Sequence, residues 1–353
     1  MRVLAINPGS TSTKFGVFQG EKQVFDQVLR HSSDALNGFD KVTDQYDFRK
    51  SVILDALAQA GYEMEGFDAV VGCGGLLKPI VSGTYLVNDR LMEDLKIGVQ
   101  GEHVSNLGGL IANEIAAQIG IPAFIVDPVV VDEFEEISRR SGHPAFPRRS
   151  IFHALNQKAT ARRYCREAGV QYEDVNLVVA HMGGGISIGI HAKGRVIDAN
   201  NALDGEGPFS PERSGTLPLG QVVALCFRGT HSQKEVKAML TGKGGMVAYL
   251  GSNSLQELEK RAKTDAEVKL LIDAMIYQVA KEIAAMSTAV NGQVDAILLT
   301  GGICHSEYIT AGIKNRVSFI ADVKRYPGEN ELAALAMGAI RVLAGEEVAK
   351  VYE

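Results

Sequence analysis

The first apolar segment of the chain runs directly into a turn that carries several hydrogen-bond donors. The apolar segment is Val3 to Ile6, and Lys14 to Phe18 is predicted to be the strand that returns. Between them a Pro-Gly pair favours a reversal, and Gly9 lets a ligand approach the main chain closely. The side chains available as donors are those of Asn7, Ser10, Ser12 and Lys14. Hydroxyls, amides and a cation without side-chain bulk suit a polyphosphate, so the turn predicts a phosphate site; a solvated hairpin is the alternative.

A second glycine turn follows the same plan in the other half of the chain. Leu177 to His191 is predicted to be a buried strand, a His-Met-Gly-Gly-Gly turn and a returning strand. The apolar strand Asp68 to Gly75, which ends in paired glycines, is likewise echoed by Asp295 to Gly302. Because both echoes keep the same order, we infer a duplicated domain with one phosphate turn in each half.

The elements that must position these turns alternate between strands and helices. This alternation predicts an α/β fold with largely parallel strand pairing. Further strands are expected at 23–29 and 123–127, and helices at 44–60, 103–119, 150–168, 273–290 and 330–343. The charged segment from Val131 to Arg149 breaks the periodicity, so the domain boundary is placed there. The predicted domains are residues 1–132 with 332–353, and residues 133–331.

Composition excludes several classes of protein. The 353 residues are 46% hydrophobic, enough for two cores, and their net charge of -6 argues against general nucleic-acid binding. No apolar run approaches the roughly 20 residues of a membrane span, and the first residues enter a strand directly. We therefore expect a cytoplasmic protein without a membrane partner. The four cysteines are scattered, which indicates reduced thiols.

Three common site motifs are absent, and a fourth lies in the wrong context. The sequence contains no P-loop, no Gly-x-Gly-x-x-Gly fingerprint and no metal motif of the His-Glu-x-x-His or Cys/His type. Gly185 to Gly189 matches Gly-x-Ser-x-Gly, but a nucleophile elbow requires a helix after the turn. Because a second β-like run follows instead, an esterase is disfavoured.

Several strings, in order, resemble the acetate and butyrate kinase family over nearly the whole chain. They are the turn at 7–14, Phe152-His153, His181 to Gly185, Glu212 to Gly215 and Thr300 to Gly302. The strings at 74–79, 101–108 and 204–215 are similar to the butyrate kinase versions in particular. The resemblance implies the actin-like ATPase (ribonuclease H-like) superfold, with two duplicated α/β domains and a nucleotide cleft between them. It also implies reversible transfer of the ATP γ-phosphate to the carboxylate of butanoate.

The resemblance implies roles for individual residues as well. The expected catalytic residues are Arg213, His153 and Asp127. The expected ATP and phosphate contacts are Asn7, Ser10, Ser12, Lys14, His181, Gly183, Gly184, Gly185, Gly301 and Gly302. The expected acyl pocket comprises Gly74, Gly75, His103, Phe152 and Pro208. The implied cofactors are ATP and Mg²⁺, with Asn7 and either Glu331 or Glu329 near the metal, and the implied assembly is a homodimer or larger homo-oligomer.

The acyl-binding segment departs from the family pattern at Cys73. The family carries Gly-Arg-Gly-Gly where this chain reads Gly-Cys-Gly-Gly from Gly72 to Gly75. A cysteine cannot replace a fixed, bidentate cation. Acetate kinases carry valines just after the arginine, so Gly74 and Gly75 are expected to vacate volume for a longer acid. A kinase for another short or branched acid, and a nucleotide-binding paralogue that has lost catalysis, remain alternatives.

Overall fold

The chain is divided into two compact units. The structure, a computed structural model, describes residues 1–39 and 41–353. The first unit comprises residues 1–131 and 330–353, and the second comprises residues 132–329. The division predicted at 132/133 and 331/332 lies within two residues of these bounds. Among the helices of the described residues, none is long and apolar enough to cross a membrane.

Each unit is built on a mixed β-sheet. The strands are β1 (Arg2–Gly9), β2 (Ser12–Gln19), β3 (Lys22–Arg30), β4 (Ala69–Gly72), β5 (Thr84–Leu86), β6 (Ala123–Val126), β7 (Asn176–Met182), β8 (Ile186–Ala192), β9 (Arg195–Ala199), β10 (Ala296–Gly301), β11 (Val323–Pro327) and β12 (Lys350–Val351). The sheet of the first unit has the order β12-β5-β6-β4-β1-β2-β3, and that of the second has the order β11-β10-β7-β8-β9.

Helices flank the strands in sequence and supply most of the remaining core. They are α1 (Ser33–Asn37), α2 (Tyr46–Gln59), α3 (Asp89–Ile97), α4 (Asn106–Ile119), α5 (Ala154–Ala168), α6 (Leu219–Phe227), α7 (Gln233–Leu240), α8 (Gly245–Leu250), α9 (Leu255–Arg261), α10 (Ala266–Ser287), α11 (Glu307–Val317) and α12 (Glu331–Leu343). The apolar side of α10 packs into the core of the second unit through residues such as Ile276, Val279 and Ile283. This confirms the core role that the spacing of those residues predicts.

The two sheets share one pattern of strand order and direction. In the first unit β1 pairs antiparallel with β2 and parallel with β4, β2 pairs antiparallel with β3, and β4 pairs parallel with β6. In the second unit β7, β8, β9, β10 and β11 repeat these pairings in the same order. The repeat bears out the inferred duplication. The expectation of largely parallel pairing is wrong. Each hairpin that carries a predicted phosphate turn adds two antiparallel pairs with the strand after it, and β5 adds another with β6.

Two predicted helices start later than expected. Helix α4 begins at Asn106 rather than His103, because His103 Nδ1 and Ser105 Oγ are 2.7 Å apart in a turn that precedes the helix. Helix α5 begins at Ala154 rather than Ser150, with His153 as the residue before the first helical turn. This later start leaves the His153 side chain at the helix end that lies nearest to β8.

The chain end is part of the first unit. Strand β12 pairs in parallel with β5 at the edge of the sheet. The next residue, Tyr352, is buried, and its hydroxyl donates to Asp94 Oδ2 at 2.7 Å and accepts from the backbone N–H of Lys78 at 3.2 Å. Asp94 is fully buried, and its carboxylate is paired by this hydroxyl, by the Lys78 ammonium at 3.1 Å and by the Arg90 guanidinium at 3.3 Å.

Candidate active site

The first of the two predicted phosphate turns is tighter than the sequence predicts. Strand β1 continues to Gly9 and strand β2 begins at Ser12, so only two residues separate the strands. In the register Asn7 lies opposite Lys14, and Gly9 lies opposite Ser12. Directly opposed residues of an antiparallel pair point to the same face. The side chains of Asn7, Ser12 and Lys14 therefore share one face of the hairpin, as a common phosphate-binding surface requires.

Arg49 holds this turn from the core side. Its side chain is fully buried, and Nη1 donates to the carbonyls of Gly9 and Ser12, both at 2.9 Å. Nη2 donates to the carbonyl of Ser10 at 3.1 Å, and Gln45 Oε1 accepts from Nε and Nη2. Burial lowers the pKa of Arg49, yet an arginine remains protonated at neutral pH. Since no carboxylate among the described residues pairs with Arg49, a positive charge lies directly behind the turn.

Sequence reasoning missed Arg49, although a signal for it exists. The buried residues of α2 are Arg49, Ile53, Ala56 and Leu57, which lie on one helical stripe. A charged residue on an otherwise apolar stripe must find partners in the core. The sequence alone does not reveal that these partners are the carbonyl groups of the turn at 9–12.

The two glutamates proposed for the metal lie in different surroundings. Asn7 Nδ2 donates to Glu331 Oε2 at 2.5 Å, within the first unit. Glu329 belongs to the second unit, where its Oε1 is 3.3 Å from His181 Nε2. No group of three or more His, Cys, Asp or Glu side chains that suits a metal ion occurs in the described parts of the chain. The resemblance implies that Asn7 and one glutamate lie near the metal. Because Glu331 contacts Asn7, it is favoured over Glu329 as that glutamate.

The segment at Cys73 does not provide the open volume expected of an acyl pocket. A Cβ atom on Gly74 would lie 2.7 Å from Pro128 Cβ, and one on Gly75 would lie 2.6 Å from Asn106 Oδ1. Neighbouring residues therefore fill the space beside both glycines, and the expectation that they vacate volume for a longer acid is wrong. Cys73 Sγ donates to the carbonyl of Ser105 at 3.4 Å, and desolvation raises the pKa of the Cys73 thiol to about 12.

Asp127 is placed as an anchor for a loop. It follows β6 with a φ of 39°, a left-handed conformation that non-glycine residues adopt rarely. Its buried carboxylate Oδ1 accepts from Ser82 Oγ at 2.6 Å and from the backbone N–H of Gly83 at 2.8 Å. These contacts fix the residues just before β5. They give Asp127 a clear structural role in the first unit, alongside the catalytic role that the resemblance implies.

The second turn, Gly183 to Gly185, lies between β7 and β8 and is closed by a hydrogen bond from the Gly183 N–H to the Gly185 carbonyl at 2.9 Å. Gly301 ends the neighbouring strand β10 with a φ of 93°, and a Cβ there would overlap the backbone of Met182. The predicted phosphate residues His181, Gly183, Gly184, Gly185, Gly301 and Gly302 therefore come together at one end of this sheet. The carboxyl ends of neighbouring parallel strands are the usual place for a ligand in such sheets.

His153 and Arg213 lie beside this turn. The rings of His153 and His181 are stacked, with centroids 3.8 Å apart and planes 13° from parallel. Arg213 Nη1 donates to the carbonyl of Ala202 at 2.5 Å, and its guanidinium lies where a Cβ on Gly185 would be. Burial, His181 and Arg213 hold the pKa of His153 well below its usual value. The neutral imidazole and the guanidinium thus form a set of donors next to the glycine turn.

The predicted acyl-pocket residues are distributed over both units. Phe152 and Pro208 are buried in the second unit, close in sequence to His153 and Arg213 respectively. Gly74, Gly75 and His103 lie in the first unit, near the end of β4 and before α4. Within each unit these residues are close to the predicted catalytic segment.

Comparison with known proteins gives consistent results. A model of the acetokinase family matches residues 144–321. The chain is 57% identical over 353 residues to butyrate kinase 1 of Clostridium acetobutylicum, and 54% identical to butyrate kinase 2 of the same organism. Each alignment covers 100% of this chain and 99% of the relative.

A solved acetate kinase from Porphyromonas gingivalis superposes with a TM-score of 0.79 at 18% identity, covering 97% of this chain and 99% of that one. This similarity confirms the predicted actin-like ATPase fold with its duplicated α/β plan. Together with the near-complete alignments to the two clostridial proteins, the match shows that the chain belongs to the acetokinase family.

Proposed function

We propose that this protein is a butyrate kinase, an ATP:butanoate 1-phosphotransferase. In the reaction a carboxylate oxygen of butanoate bonds to the γ-phosphorus of ATP as the bond between that phosphorus and the bridging oxygen breaks. The products are butanoyl phosphate and ADP, and the reaction is reversible. The observation that carries the proposal is the 57% identity to butyrate kinase 1 over the full chain.

The chemistry requires charge neutralisation rather than a general base. Short carboxylic acids have pKa values well below 7, so the nucleophile arrives ionised, and the barrier lies in bringing two anions together. Arg213 supplies a cation, and His153 supplies a neutral donor beside the Gly183 to Gly185 turn. Donors that are fixed before the reaction stabilise the charge of a transferring phosphoryl group without reorganisation.

The first unit is proposed to bind the phosphates of ATP and magnesium. Asn7, Ser12 and Lys14 share one face of the β1–β2 hairpin, and Arg49 adds positive charge behind it. Magnesium commonly takes one or two protein ligands, with water and substrate phosphates completing its shell. The Asn7–Glu331 pair, with one amide and one carboxylate, fits that requirement. When bound, Mg²⁺ neutralises phosphate charge.

Butanoate is proposed as the preferred acid, with propionate and branched acids as slower substrates. One methylene group in an apolar pocket changes binding by only about 1–3 kcal/mol, so neighbouring acids also react. Because Gly74 and Gly75 are packed against other residues, the proposal rests on the clostridial relatives rather than on vacated volume. Asp127, His103, Phe152 and Pro208 remain proposed site residues on the same family basis.

Cys73 favours one alternative, a nucleotide-binding protein with impaired catalysis. At neutral pH the thiol is uncharged because its pKa is raised to about 12, so it cannot replace the arginine of the family pattern. This alternative predicts ATP binding without acyl-phosphate formation.

We further propose that the chain forms a homo-oligomer through α6. Leu219, Val223 and Phe227 recur at four-residue spacing and are 78%, 54% and 87% exposed. An apolar helical stripe left in water is typical of an interface. Phe227→Asp is expected to give the monomer mass in size-exclusion chromatography with light scattering. Phe319→Asp, which changes an exposed phenylalanine elsewhere, is the control.

The experiment that tests the reaction traps acyl phosphate with hydroxylamine. The protein is incubated with ATP, Mg²⁺ and acids from acetate to hexanoate. Maximal product with butanoate supports the proposal, whereas a maximum with another acid moves the assignment to that substrate. ATP binding without product from any acid would establish the alternative that Cys73 favours.

A further inference from the structure

Ser187 lies on β8 directly behind the His153 ring. It is fully buried, and its Oγ is 2.8 Å from His153 Nδ1, 3.3 Å from the His153 backbone nitrogen and 2.9 Å from Gln157 Nε2. Gln157, also fully buried, is on the first turn of α5. Three nitrogen atoms thus surround one hydroxyl group. Whether the hydroxyl hydrogen is donated to His153 Nδ1 decides which ring nitrogen of His153 carries the proton.

The orientation of the Gln157 amide is fixed by a second contact. Its Nε2 also donates to the backbone carbonyl of Ser187 at 3.0 Å, and a carbonyl oxygen can only accept. The amide oxygen must therefore face the other way, where it is 3.1 Å from His191 Nε2. A Cβ on Gly189 would lie 2.6 Å from this oxygen, so the glycine leaves room for the amide.

A count of donors and acceptors then assigns the His153 ring. A serine hydroxyl has two lone pairs and one hydrogen. The N–H groups of Gln157 and of the His153 backbone use the two lone pairs of Ser187, which leaves the hydroxyl hydrogen for His153 Nδ1. His153 Nδ1 is therefore an acceptor, and the neutral ring carries its proton on Nε2.

His153 Nε2 is available to a ligand. Within residues 1–39 and 41–353 it has no hydrogen-bond partner, whereas Nδ1 is fully engaged by Ser187. The low pKa of His153, caused by burial and by His181 and Arg213, also favours the neutral ring. In the opposite tautomer the ring would direct a lone pair toward an anionic phosphoryl group, which is repulsive.

We propose that Ser187 and Gln157 are positioning residues that hold His153 in the Nε2–H tautomer, so that it donates a hydrogen bond to the phosphoryl group in transfer. The inference deepens the proposed kinase function and rests on it. Neither residue is expected to touch substrate. Gln157 acts through Ser187, and the buried His191 behind it keeps the amide oriented.

The tautomer is tested directly by NMR of the full-length protein labelled with ¹⁵N-histidine. His153→Asn identifies the His153 signals by their loss. In the otherwise unchanged protein, His153 is expected to show a protonated Nε2 and an unprotonated Nδ1 between pH 6 and 8. In Ser187→Ala the two tautomers are expected to become mixed. A protonated Nδ1 in the unchanged protein, or an unaltered tautomer in Ser187→Ala, overturns the proposal.

Kinetics provide the second test. Hydrogen bonds that orient a metal-ligating histidine are typically worth roughly 10- to 100-fold in metal affinity or activity, and we expect the same order for the bond that orients His153. Ser187→Ala is expected to lower kcat by about that factor with little change in KM for ATP. Ser287→Ala removes a buried hydroxyl that donates to the Ala284 carbonyl and to no other group among the described residues, and it is expected to leave kcat unchanged.

A double variant separates positioning from general damage. Because Gln157 acts through Ser187, Ser187→Ala with Gln157→Leu is expected to be no slower than Ser187→Ala alone. Fully multiplicative losses would contradict the proposed order of contacts. If the unchanged protein forms no acyl phosphate, the proposed function fails, while the NMR experiment still decides the tautomer.

Discussion

Arg49 and Gly9 are 40 positions apart in sequence, yet the Arg49 guanidinium donates to the Gly9 carbonyl at 2.9 Å. The same side chain also satisfies the carbonyls of Ser10 and Ser12. One residue of α2 thus stabilises the hairpin that carries Asn7 and Lys14. The fold consequently places a stability determinant directly beneath the candidate phosphate site.

Replacing Arg49 with methionine is expected to loosen this turn. Three partly buried carbonyls lose their donor. A fully buried unsatisfied group costs roughly 1–3 kcal/mol, and because water still reaches these carbonyls in part, the free energy of unfolding falls by about 2–5 kcal/mol in total. KM for ATP is expected to rise about tenfold, because binding must then order the turn. The chain lacks tryptophan, so urea unfolding is followed by circular dichroism. Arg140→Met, at an exposed surface ion pair, serves as the control and should change stability by less than about 0.5 kcal/mol.

Gly185→Ala is expected to reduce kcat by about 100-fold. The added Cβ would overlap the Arg213 guanidinium and force it from its place, and loss of one fixed donor typically lowers the rate by that order. Gly184→Ala is the matched change, since its Cβ would lie 3.3 Å from Glu212 Oε2, the end of a flexible side chain. Steady-state rates of both variants are measured at saturating ATP. Equal losses would show that the Arg213 contact is not the cause.

Glu331→Gln is expected to raise the Mg²⁺ concentration for half-maximal activity about tenfold. The change removes a negative charge while keeping the size of the side chain that bonds Asn7. Glu329→Gln, which changes the carboxylate beside His181, is expected to shift the Mg²⁺ requirement less. Magnesium titrations at fixed ATP compare the two variants. A larger shift for Glu329→Gln would reverse the assignment.

Cys73→Arg is expected to raise kcat/KM for butanoate about tenfold. Arginine would supply the bidentate cation that a neutral thiol cannot, and it binds carboxylate and phosphate in a fixed geometry. Cys73→Met adds length without charge and should not raise activity. The measurement is the dependence of rate on butanoate concentration for all three proteins. If Cys73→Arg does not raise kcat/KM, butanoate does not bind beside residue 73.

Thiol labelling is expected to distinguish the cysteines by pH. Cys226 is exposed, whereas desolvation raises the pKa of Cys73 and of Cys304 to about 12. A raised thiol pKa keeps the group protonated below that value, and only the thiolate reacts. At pH 8 iodoacetamide should therefore modify Cys226 first, and peptide mass mapping should find Cys73 and Cys304 protected. Early labelling of Cys73 in the folded protein would contradict its assigned surroundings.

Local patterns predict the longer strands and the presence of the long helices, because each depends on nearby residues. The bounds are less exact for α10, which begins at Ala266 rather than Asp273. The strand at 23–29 and the helix at 44–60 are confirmed as β3 and α2 to within two residues at each end. Strands β5, β9, β11 and β12 have two to five residues and are not predicted; β5, for example, depends on pairing with β6 and β12. A strand of three residues contains too little pattern to be recognised from sequence.

In the candidate site, too, local sequence patterns predict some residues, whereas others depend on contacts between distant parts of the chain. The hairpin at 7–14 and the glycines at 183–185 could be predicted because turn residues act locally. Arg49, Gln157 and Ser187 could not, because their roles arise from contacts across 30 or more positions. The packing of Gly74 against Pro128 could not be predicted from the sequence either, since it depends on the approach of another loop.

The first unit is assembled from both ends of the chain, with α12 and β12 supplied by residues 330–353. Residues 132–329 form an uninterrupted stretch. During synthesis on the ribosome the second unit can therefore complete its core while the first still lacks its last helix and edge strand. A premature stop codon just before Tyr352 would leave the buried Asp94 without its hydroxyl partner, and we expect such a truncated product to be a preferred substrate for cellular proteases.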